Sequence, residues 1–264
     1  INSIELLYTG SAATEYGEDG RWKGLTVSSS TLSHELSAQL TGQGNIVFAK
    51  GDGTSALQVG NAADGANSNS YTGRTWVQNG ASVEFVADNA FGNTSELRID
   101  DGGKVDLNGF VQTVGQLFAY GENALVGDEN SVLTITGSAQ INNSNDGFSG
   151  SIVFDTTGST NGYVSDVDGL GHGDVSIGKN YILSITDTSE SGGVIKVENN
   201  LKDVVSGQGG LLQIGSTLGS APTDAGTIEL SGSNGDFSGT IRVNDGWSLA
   251  ATVGSGEDVA DRLG

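Results

Sequence analysis

Two short stretches of the sequence carry the residue types of a glycoside hydrolase. Asp100 and Asp101 are adjacent carboxylates, and a histidine lies between two glycines in Gly171-His172-Gly173. Two carboxylates on neighbouring turns of a chain can divide the roles of general acid and general base when a glycosidic bond is cleaved. These residues are therefore the first candidates for catalysis.

The internal repeats of the chain give the same residues a structural explanation. The stretch "LGHGDVSI" aligns with "FGNTSELRI", so His172 takes the place of Asn93, an ordinary turn residue. Asp100 and Asp101 precede two glycines, which is the composition of a turn. Pectin-degrading β-helical hydrolases also carry Asn-Thr-Asp and Arg-Ile-Lys elements, and this sequence has neither. We therefore predict no catalytic residue and interpret the chain as something other than an enzyme.

Acidic clusters raise the question of calcium. Asp166, Asp168 and Asp174 lie among glycines, and Asp128 and Glu129 are adjacent. Hard cations prefer several oxygen ligands from closely spaced carboxylates. Neither stretch follows the order of an EF-hand, and the nine-residue Gly-Gly-x-Gly-x-Asp repeat is absent. We interpret these clusters as solvated turns and predict neither a metal site nor a cofactor.

Short strands and abrupt turns must position all of these residues. Apolar residues come in pairs two apart, as in Leu97 with Ile99 and Val105 with Leu107, and residues 100–103 (Asp-Asp-Gly-Gly) separate these two pairs. Alternate residues of a strand share one face, and Gly, Asn and Asp tolerate the positive φ of tight turns. The 43 glycines and the single proline suit many interior strands. The pattern predicts an all-β protein with these pairs in its core.

Three segments of the sequence align with one another. They read "YTGRTWVQNGASVEF" from Tyr71, "FSGSIVFD" from Phe148 and "FSGTIRVNDGWSLAA" from Phe237. A unit of a few short strands cannot bury its apolar face alone, but it can do so by stacking on the next unit. The repeats therefore predict a parallel β-helix of about 11–12 rungs. A β-sandwich, which needs no long repeat, is the alternative.

The whole chain, 1–264, is predicted to form a single β-helical unit. Residues 41–264 contain the three imperfect repeats. Residues 1–40 carry no matching motif and include a polar loop at 14–24. The first 40 residues are therefore expected to add rungs with one loop projecting from the rod.

The charge of the chain limits its partners. It has 32 acidic and 11 basic residues, which gives a formal net charge of −21. Phosphate binding needs clustered Lys and Arg, so we expect nucleic acid and anionic membrane surfaces to be poor partners and predict no nucleic-acid binding. The chain has no cysteine, so it forms neither disulfides nor thiolate metal sites.

Two regions are predicted to contact a ligand or another copy of the chain. The repeat alignment places Trp76 in the position of Arg242, on the outward face of a strand. The indole ring of Trp76 is then either a contact residue or covered by a neighbouring loop such as residues 61–71. The polar loop at 14–24 is the second region. The candidate contact residues are Trp76, Arg242, Tyr16, Glu18, Asp19 and Trp22.

The sequence resembles the autotransporter-associated β-strand repeat of Gram-negative type V secreted proteins. The matching stretches, within residues 41–264, include "AFGN", "LRIDDGGKVDLNGFVQTVGQL", "LGHGDVSI" and "FSGTIRVNDG". The resemblance implies a right-handed parallel β-helical passenger domain, displayed outside the cell and carried by a C-terminal outer-membrane barrel. That barrel and the signal peptide are expected to lie outside this chain.

The same resemblance implies a function. Members of this kind are mostly adhesins and aggregation or biofilm factors, so the chain is expected at the cell surface as an adhesin or self-association factor. The implied partner is a host surface protein or glycan, or another copy of the chain. A passive β-helical stalk that displays another domain is the alternative.

Overall fold

The computed structural model describes most of the chain, and almost all of its regular structure is β-strand. The described residues are 3–6, 24–28, 34–51, 55–60, 69–186, 194–215, 226–244 and 246–251. Their one helical segment is a single 3-10 turn, Val167–Leu170, and within these ranges no helix has the length and apolar character of a membrane span.

The strands are two to five residues long. They are β1 (Ser3–Leu6), β2 (Leu25–Ser28), β3 (His34–Leu36), β4 (Gln39–Gly42), β5 (Ile46–Ala49), β6 (Leu57–Val59), β7 (Arg74–Val77), β8 (Ser82–Phe85), β9 (Glu96–Ile99), β10 (Lys104–Asp106), β11 (Val111–Val114), β12 (Gln116–Ala119), β13 (Leu125–Val126), β14 (Val132–Ile135), β15 (Ala139–Ile141), β16 (Ser151–Phe154), β17 (Thr160–Val164), β18 (Val175–Ile177), β19 (Tyr181–Ile185), β20 (Val194–Val197), β21 (Leu201–Asp203), β22 (Leu211–Ile214), β23 (Thr227–Leu230), β24 (Thr240–Val243) and β25 (Ser248–Ala251).

Parallel pairing stacks these strands into a solenoid. The long sheet has the order β2-β5-β7-β9-β12-β15-β17-β19-β22-β24. A second set of strands forms the sheets β3-β6-β8-β10-β13 and β20-β23-β25, and a third forms β1-β4 and β11-β14-β16-β18-β21. Because each turn of the chain crosses the long sheet once, the described residues form a parallel β-solenoid of about nine turns.

The prediction of an all-β parallel β-helix is confirmed, but the structure has about nine turns rather than 11–12. The turns differ in length. Leu97 pairs with Leu117, 20 residues further on, whereas Ile46 pairs with Thr75, 29 residues further on. The longer turns contain insertions such as residues 61–68, which lie outside the described residues. The prediction assumed that every rung has the same length, and it therefore gave too many turns.

The core and the corners lie where the sequence predicted them. Leu97, Ile99, Val105 and Leu107 are 0–1 % exposed and belong to one continuous hydrophobic cluster. At the predicted corners, Gly102, Asn108 and Gly109 have φ of 78°, 49° and 81°. These positive values are accessible to glycine and, at lower cost than for most residues, to asparagine.

The aromatic-Ser/Thr-Gly motif of the repeats marks a corner where two turns touch. Its aromatic residues, Tyr71, Phe148 and Phe237, are 0–1 % exposed. At the glycine of the first copy, Gly73, a Cβ atom would lie 2.0 Å from the carbonyl oxygen of Gly44 on the preceding turn. The equivalent glycines, 150 and 239, would meet a backbone oxygen at 2.3 Å. Only glycine fits at this contact.

A buried asparagine precedes each of these aromatic residues and joins neighbouring turns. Asn145 Oδ1 accepts a hydrogen bond from the Leu125 N–H at 2.9 Å, and Asn145 Nδ2 donates to the Gly169 carbonyl at 2.7 Å. Asn69 and Asn234 likewise accept a hydrogen bond from a leucine N–H of the preceding turn. These side chains satisfy backbone groups that no ladder reaches.

The three copies of the motif do not lie on one face. The strands that follow the first and third copies, β7 and β24, belong to the long sheet, whereas β16 of the second copy belongs to the third set. Trp76 and Arg242 therefore share a face, as predicted, while Val153 of the second copy does not lie in that sheet.

Candidate functional site

One outward column of side chains runs along the whole long sheet. Strand register pairs each member with the next, so neighbouring members are one strand spacing apart, about 4.8 Å. We call this column the outer ladder. Its members are Thr26, Val47, Trp76, Arg98, Phe118, Gln140, Tyr163, Ser184, Gln213 and Arg242.

Trp76 faces outward and is nevertheless covered. Its side chain is 8 % exposed, and it packs with Val47 in a small cluster separate from the main core. The guanidinium carbon of Arg98, on the next strand, lies 5.5 Å from the centroid of the Trp76 ring. Trp76 was interpreted either as a contact residue or as a covered residue, and this geometry favours the covered residue.

Arg98 joins two aromatic rings. Its guanidinium carbon also lies 5.3 Å from the centroid of the Tyr120 ring. Arg98 Nε donates to Asp100 Oδ1 at 2.9 Å. A cation between two ring faces is held by their quadrupoles, and the carboxylate fixes its orientation. Arg98 is therefore a positioned group and not a freely moving surface arginine.

Half-buried aromatic rings continue the same face. Phe118 and Tyr120, on the same side of β12, stack with their centroids 6.4 Å apart and their planes 18° apart. Register places Gln140 beside Phe118 and Tyr163 beside Gln140. The outer ladder thus presents an aromatic ring, an amide and a second aromatic ring in succession, and all three side chains are half-buried.

Amide groups surround these rings. Gln140 Nε2 donates to Asn142 Oδ1 at 3.1 Å, which holds the two amides together. Ser165 Oγ donates to the backbone carbonyl of Asn142 at 2.8 Å. A primary amide carries both donors and an acceptor. The middle of the outer ladder therefore combines ring faces with neutral groups that hydrogen-bond in both directions.

Charges on this face are balanced. From β7 to β22, the charged residues at outward positions are Arg74, Glu96, Arg98 and Asp100, the last of which follows β9. They form two ion pairs. Arg74 Nε lies 3.4 Å from Glu96 Oε2, and the second pair is Arg98 with Asp100. The net charge of −21 is carried elsewhere, for example on exposed turn residues such as Asp128 and Glu129. Among the described residues, the outer ladder is therefore charge-balanced from β7 to β22, and Arg242 on β24 lies beyond this balanced part.

The other predicted contact residues have different outcomes. Arg242 is exposed at the last strand of the long sheet. Tyr16, Glu18, Asp19 and Trp22 lie outside the described residues, so their contact role stays a prediction.

The sequence reasoning did not identify Phe118, Tyr120 or Tyr163. The signal of Phe118 and Tyr120 was available in "QLFAY", where the two aromatic residues alternate with Leu117 and Ala119, which are 0–1 % exposed. Tyr163 likewise lies between the buried residues Gly162 and Val164.

The residues first considered for catalysis lie on different turns. Asp100 follows β9, whereas His172 follows β17, three strands further along the long sheet. His172 is an exposed corner residue whose backbone N–H donates to the Phe148 carbonyl. Asn93 donates in the same way to the Tyr71 carbonyl. The two corners are therefore equivalent, as the alignment predicted.

The acidic clusters make local hydrogen bonds. Asp166 Oδ1 accepts from the Asp168 N–H at 3.0 Å and caps the 3-10 turn. Lys202 Nζ lies 2.5 Å from Asp174 Oδ2. Partial burial raises the pKa of Asp174, but hydrogen bonds from Lys202 and Asn200 outweigh it and lower the pKa below its usual value. Among the described residues, no group of three or more His, Asp or Glu side chains is arranged to hold a metal ion.

Comparisons with known proteins identify two relatives. No protein-family model matches the chain, and no solved structure matches it significantly. The Escherichia coli (strain K12) protein named "Uncharacterized lipoprotein YdeK" is 28 % identical over an alignment of 232 residues, and the match covers 82 % of this chain and 15 % of that protein. "Uncharacterized protein YuaQ" of the same strain is 30 % identical over an alignment of 161 residues, and the match covers 54 % of this chain and 11 % of that protein. The chain thus spans only a small part of either relative.

Proposed function

We propose that this chain is a segment of a Gram-negative cell-surface passenger that acts as an adhesin or self-association factor. The observation that carries the proposal is the outer ladder, a column of ten side chains on one parallel sheet, in which the seven members other than Val47, Trp76 and Gln213 are exposed or half-buried. Contacts that are weak individually add up when they repeat along a rigid rod, because every contact after the first is effectively intramolecular. A face of this kind suits adhesion.

The location rests on two supports. The relative named as a lipoprotein supports a position in the cell envelope. The resemblance of the repeats to autotransporter passengers supports the finer assignment, display outside the outer membrane. The β-solenoid itself is compatible with either a binding face or a spacer.

Charge sets a condition on self-association. Two copies, each with a net charge of −21, repel one another, and this repulsion is screened by salt over a distance of about 8 Å at physiological ionic strength. Contact between copies is therefore least costly along the neutral outer ladder, whereas contact with an uncharged ligand carries no such cost.

Surface display tests the proposal. The chain is fused to an outer-membrane barrel in a non-adherent Gram-negative strain, and the control strain carries the barrel alone. We expect the displayed chain to increase settling of the cells or their attachment to host-cell or glycan-coated surfaces. Cells that display the folded chain and behave in both assays like the control would contradict adhesion and favour the passive stalk.

A further inference from the structure

We propose that the outer ladder binds an uncharged polysaccharide chain, with the centre of the site at Phe118, Gln140 and Tyr163. The inference rests on the proposed adhesive function and names the ligand class of that function. It is carried by three features of the site: the spacing of the rings, the amides between them and the balanced charge.

Strand register spaces the two aromatic rings along the outer ladder. Phe118 and Tyr163 are two strands apart in register, about 10 Å at the usual strand spacing. A pyranose ring presents C–H groups on its faces, and these carry partial positive charge toward the negative face of an aromatic ring. In an extended glycan each sugar advances by about one strand spacing. Two sugars separated by one intervening sugar therefore match the two rings.

The amides lie where the intervening sugar needs partners. Gln140 lies between the two rings in the outer ladder, and its hydrogen bond to Asn142 holds both amides on this face. Sugar hydroxyls are both donors and acceptors, as a primary amide is. Tyr120, stacked on Phe118 and held by Arg98, adds a hydroxyl beside them. The polar groups of the site thus complement the hydroxyl groups of a sugar and not the charge of an ionic ligand.

The charge of the molecule decides between ligand classes. Sulfated and carboxylated glycans are repelled by a chain of net charge −21. A basic protein is drawn to the acidic turns, where residues such as Asp128 and Glu129 lie, and not to the balanced face. A second copy of the chain brings another −21. An uncharged polysaccharide is the partner that the outer ladder can approach without electrostatic cost.

Affinity electrophoresis tests the inference directly. The purified chain is run in native gels that contain no polysaccharide, one of several neutral polysaccharides (xyloglucan, galactomannan, mixed-linkage β-glucan, dextran) or an anionic one (heparin, alginate). The strongly acidic chain migrates readily, so binding is measured as retardation. We expect retardation by at least one neutral polysaccharide and none by the anionic ones.

Variants with unchanged charge locate the site. Phe118→Ala combined with Tyr163→Ala is expected to weaken binding about tenfold or more, because truncated aromatic contacts are typically the costly ones. Phe118→Tyr combined with Tyr163→Phe keeps both rings and is expected to bind. Val111→Ala, at an exposed apolar position on the third set of strands, is the matched control. Thermal melting checks that every variant is folded.

Three results would overturn the inference: no retardation by any neutral polysaccharide, retardation by the anionic gels alone, or equal retardation of the folded Phe118→Ala/Tyr163→Ala variant and the wild type. The adhesion assay separates this failure from failure of the proposed function. If displayed cells settle or attach while the purified chain binds no neutral polysaccharide, adhesion stands and the glycan assignment falls.

Discussion

At the scale of single residues, buried asparagine and glycine residues define the repeat more than apolar side chains do. Asn145 bridges backbone groups of the turns before and after its own, and the motif glycines allow successive corners to touch. Asn145 and the motif glycines 73 and 150 are small or lack a side chain, yet each is buried. The chain therefore depends on hydrogen bonds at its corners, where the strand ladders end.

Replacing Asn145 by Ala should destabilise the protein by about 2–4 kcal/mol, because the buried Leu125 N–H and Gly169 carbonyl both lose a partner. The free energy of unfolding, measured by urea titration, checks this. Asn130→Ala, at an exposed turn, is the control and should cost less than about 0.5 kcal/mol. Equal losses in the two variants would contradict the bridging role.

Replacing Arg98 by Ala should uncover Trp76, because the guanidinium that lies over its ring is removed. We expect acrylamide to quench more of the tryptophan fluorescence, and the stability loss to be about 0.5–2 kcal/mol. A Trp76→Phe background identifies the signal of Trp76. Arg242→Ala, at the far end of the outer ladder, should leave the quenching unchanged. Unaltered quenching in Arg98→Ala would show that another group covers the indole.

At the scale of elements, hydrogen bonds between turns supplement the strand ladders. Asp203, at the end of β21, accepts from both the N–H and the hydroxyl of Ser238 on the next turn and from the Gly207 N–H. Burial raises the pKa of Asp203, but these hydrogen bonds outweigh it and lower the pKa below its usual value of 3.8. The ionised carboxylate therefore stabilises this end of the solenoid.

The sign of the pH dependence follows from that lowered pKa. The contribution of Asp203 is complete above the unfolded pKa, near 4, and is lost as the pH falls through the lower folded pKa. Asp203→Asn should lower stability near neutral pH by up to about 1 kcal/mol, since the carboxylate is partly solvated. The difference from the wild type should shrink at about pH 3. Thermal melting at both pH values checks this, with the exposed Glu122→Gln as control. A difference that does not shrink would rule out a role for ionisation.

The strands were predictable from the sequence where apolar and polar residues alternate. The pairs Leu97 with Ile99 and Val105 with Leu107 are buried because side chains of a strand alternate between faces. It did not predict the number of turns, because insertions such as residues 61–68 lengthen some turns and leave no mark on strand periodicity.

The candidate site was harder to predict because it is built between turns. Part of the cover of Trp76 comes from Arg98, 22 residues later, and their contact depends on the register of β7 with β9. Repeat copies far apart in the chain do not determine the register of adjacent turns. Phe118 and Tyr163 lie outside the three aligned segments, so only their alternation with buried residues could have identified them.

At the scale of the whole molecule, the surface consists of acidic turns and one face on which the charges are balanced. The net charge of −21 disfavours contact along acidic turns, while the outer ladder runs over ten strands, roughly 43 Å at the usual spacing. One face of the solenoid is thus long and, from β7 to β22, electrically balanced among the described residues. Adhesion through this face is the central claim.

Cell attachment by face variants tests that claim most directly. Cells display the wild type, the Phe118→Ala/Tyr163→Ala variant or the Val111→Ala control at equal surface density, and settling and attachment are measured on the same surfaces. Adhesion through the outer ladder predicts that the control matches the wild type and that the ladder variant falls close to the level of cells with the barrel alone. Equal attachment by all three would contradict it.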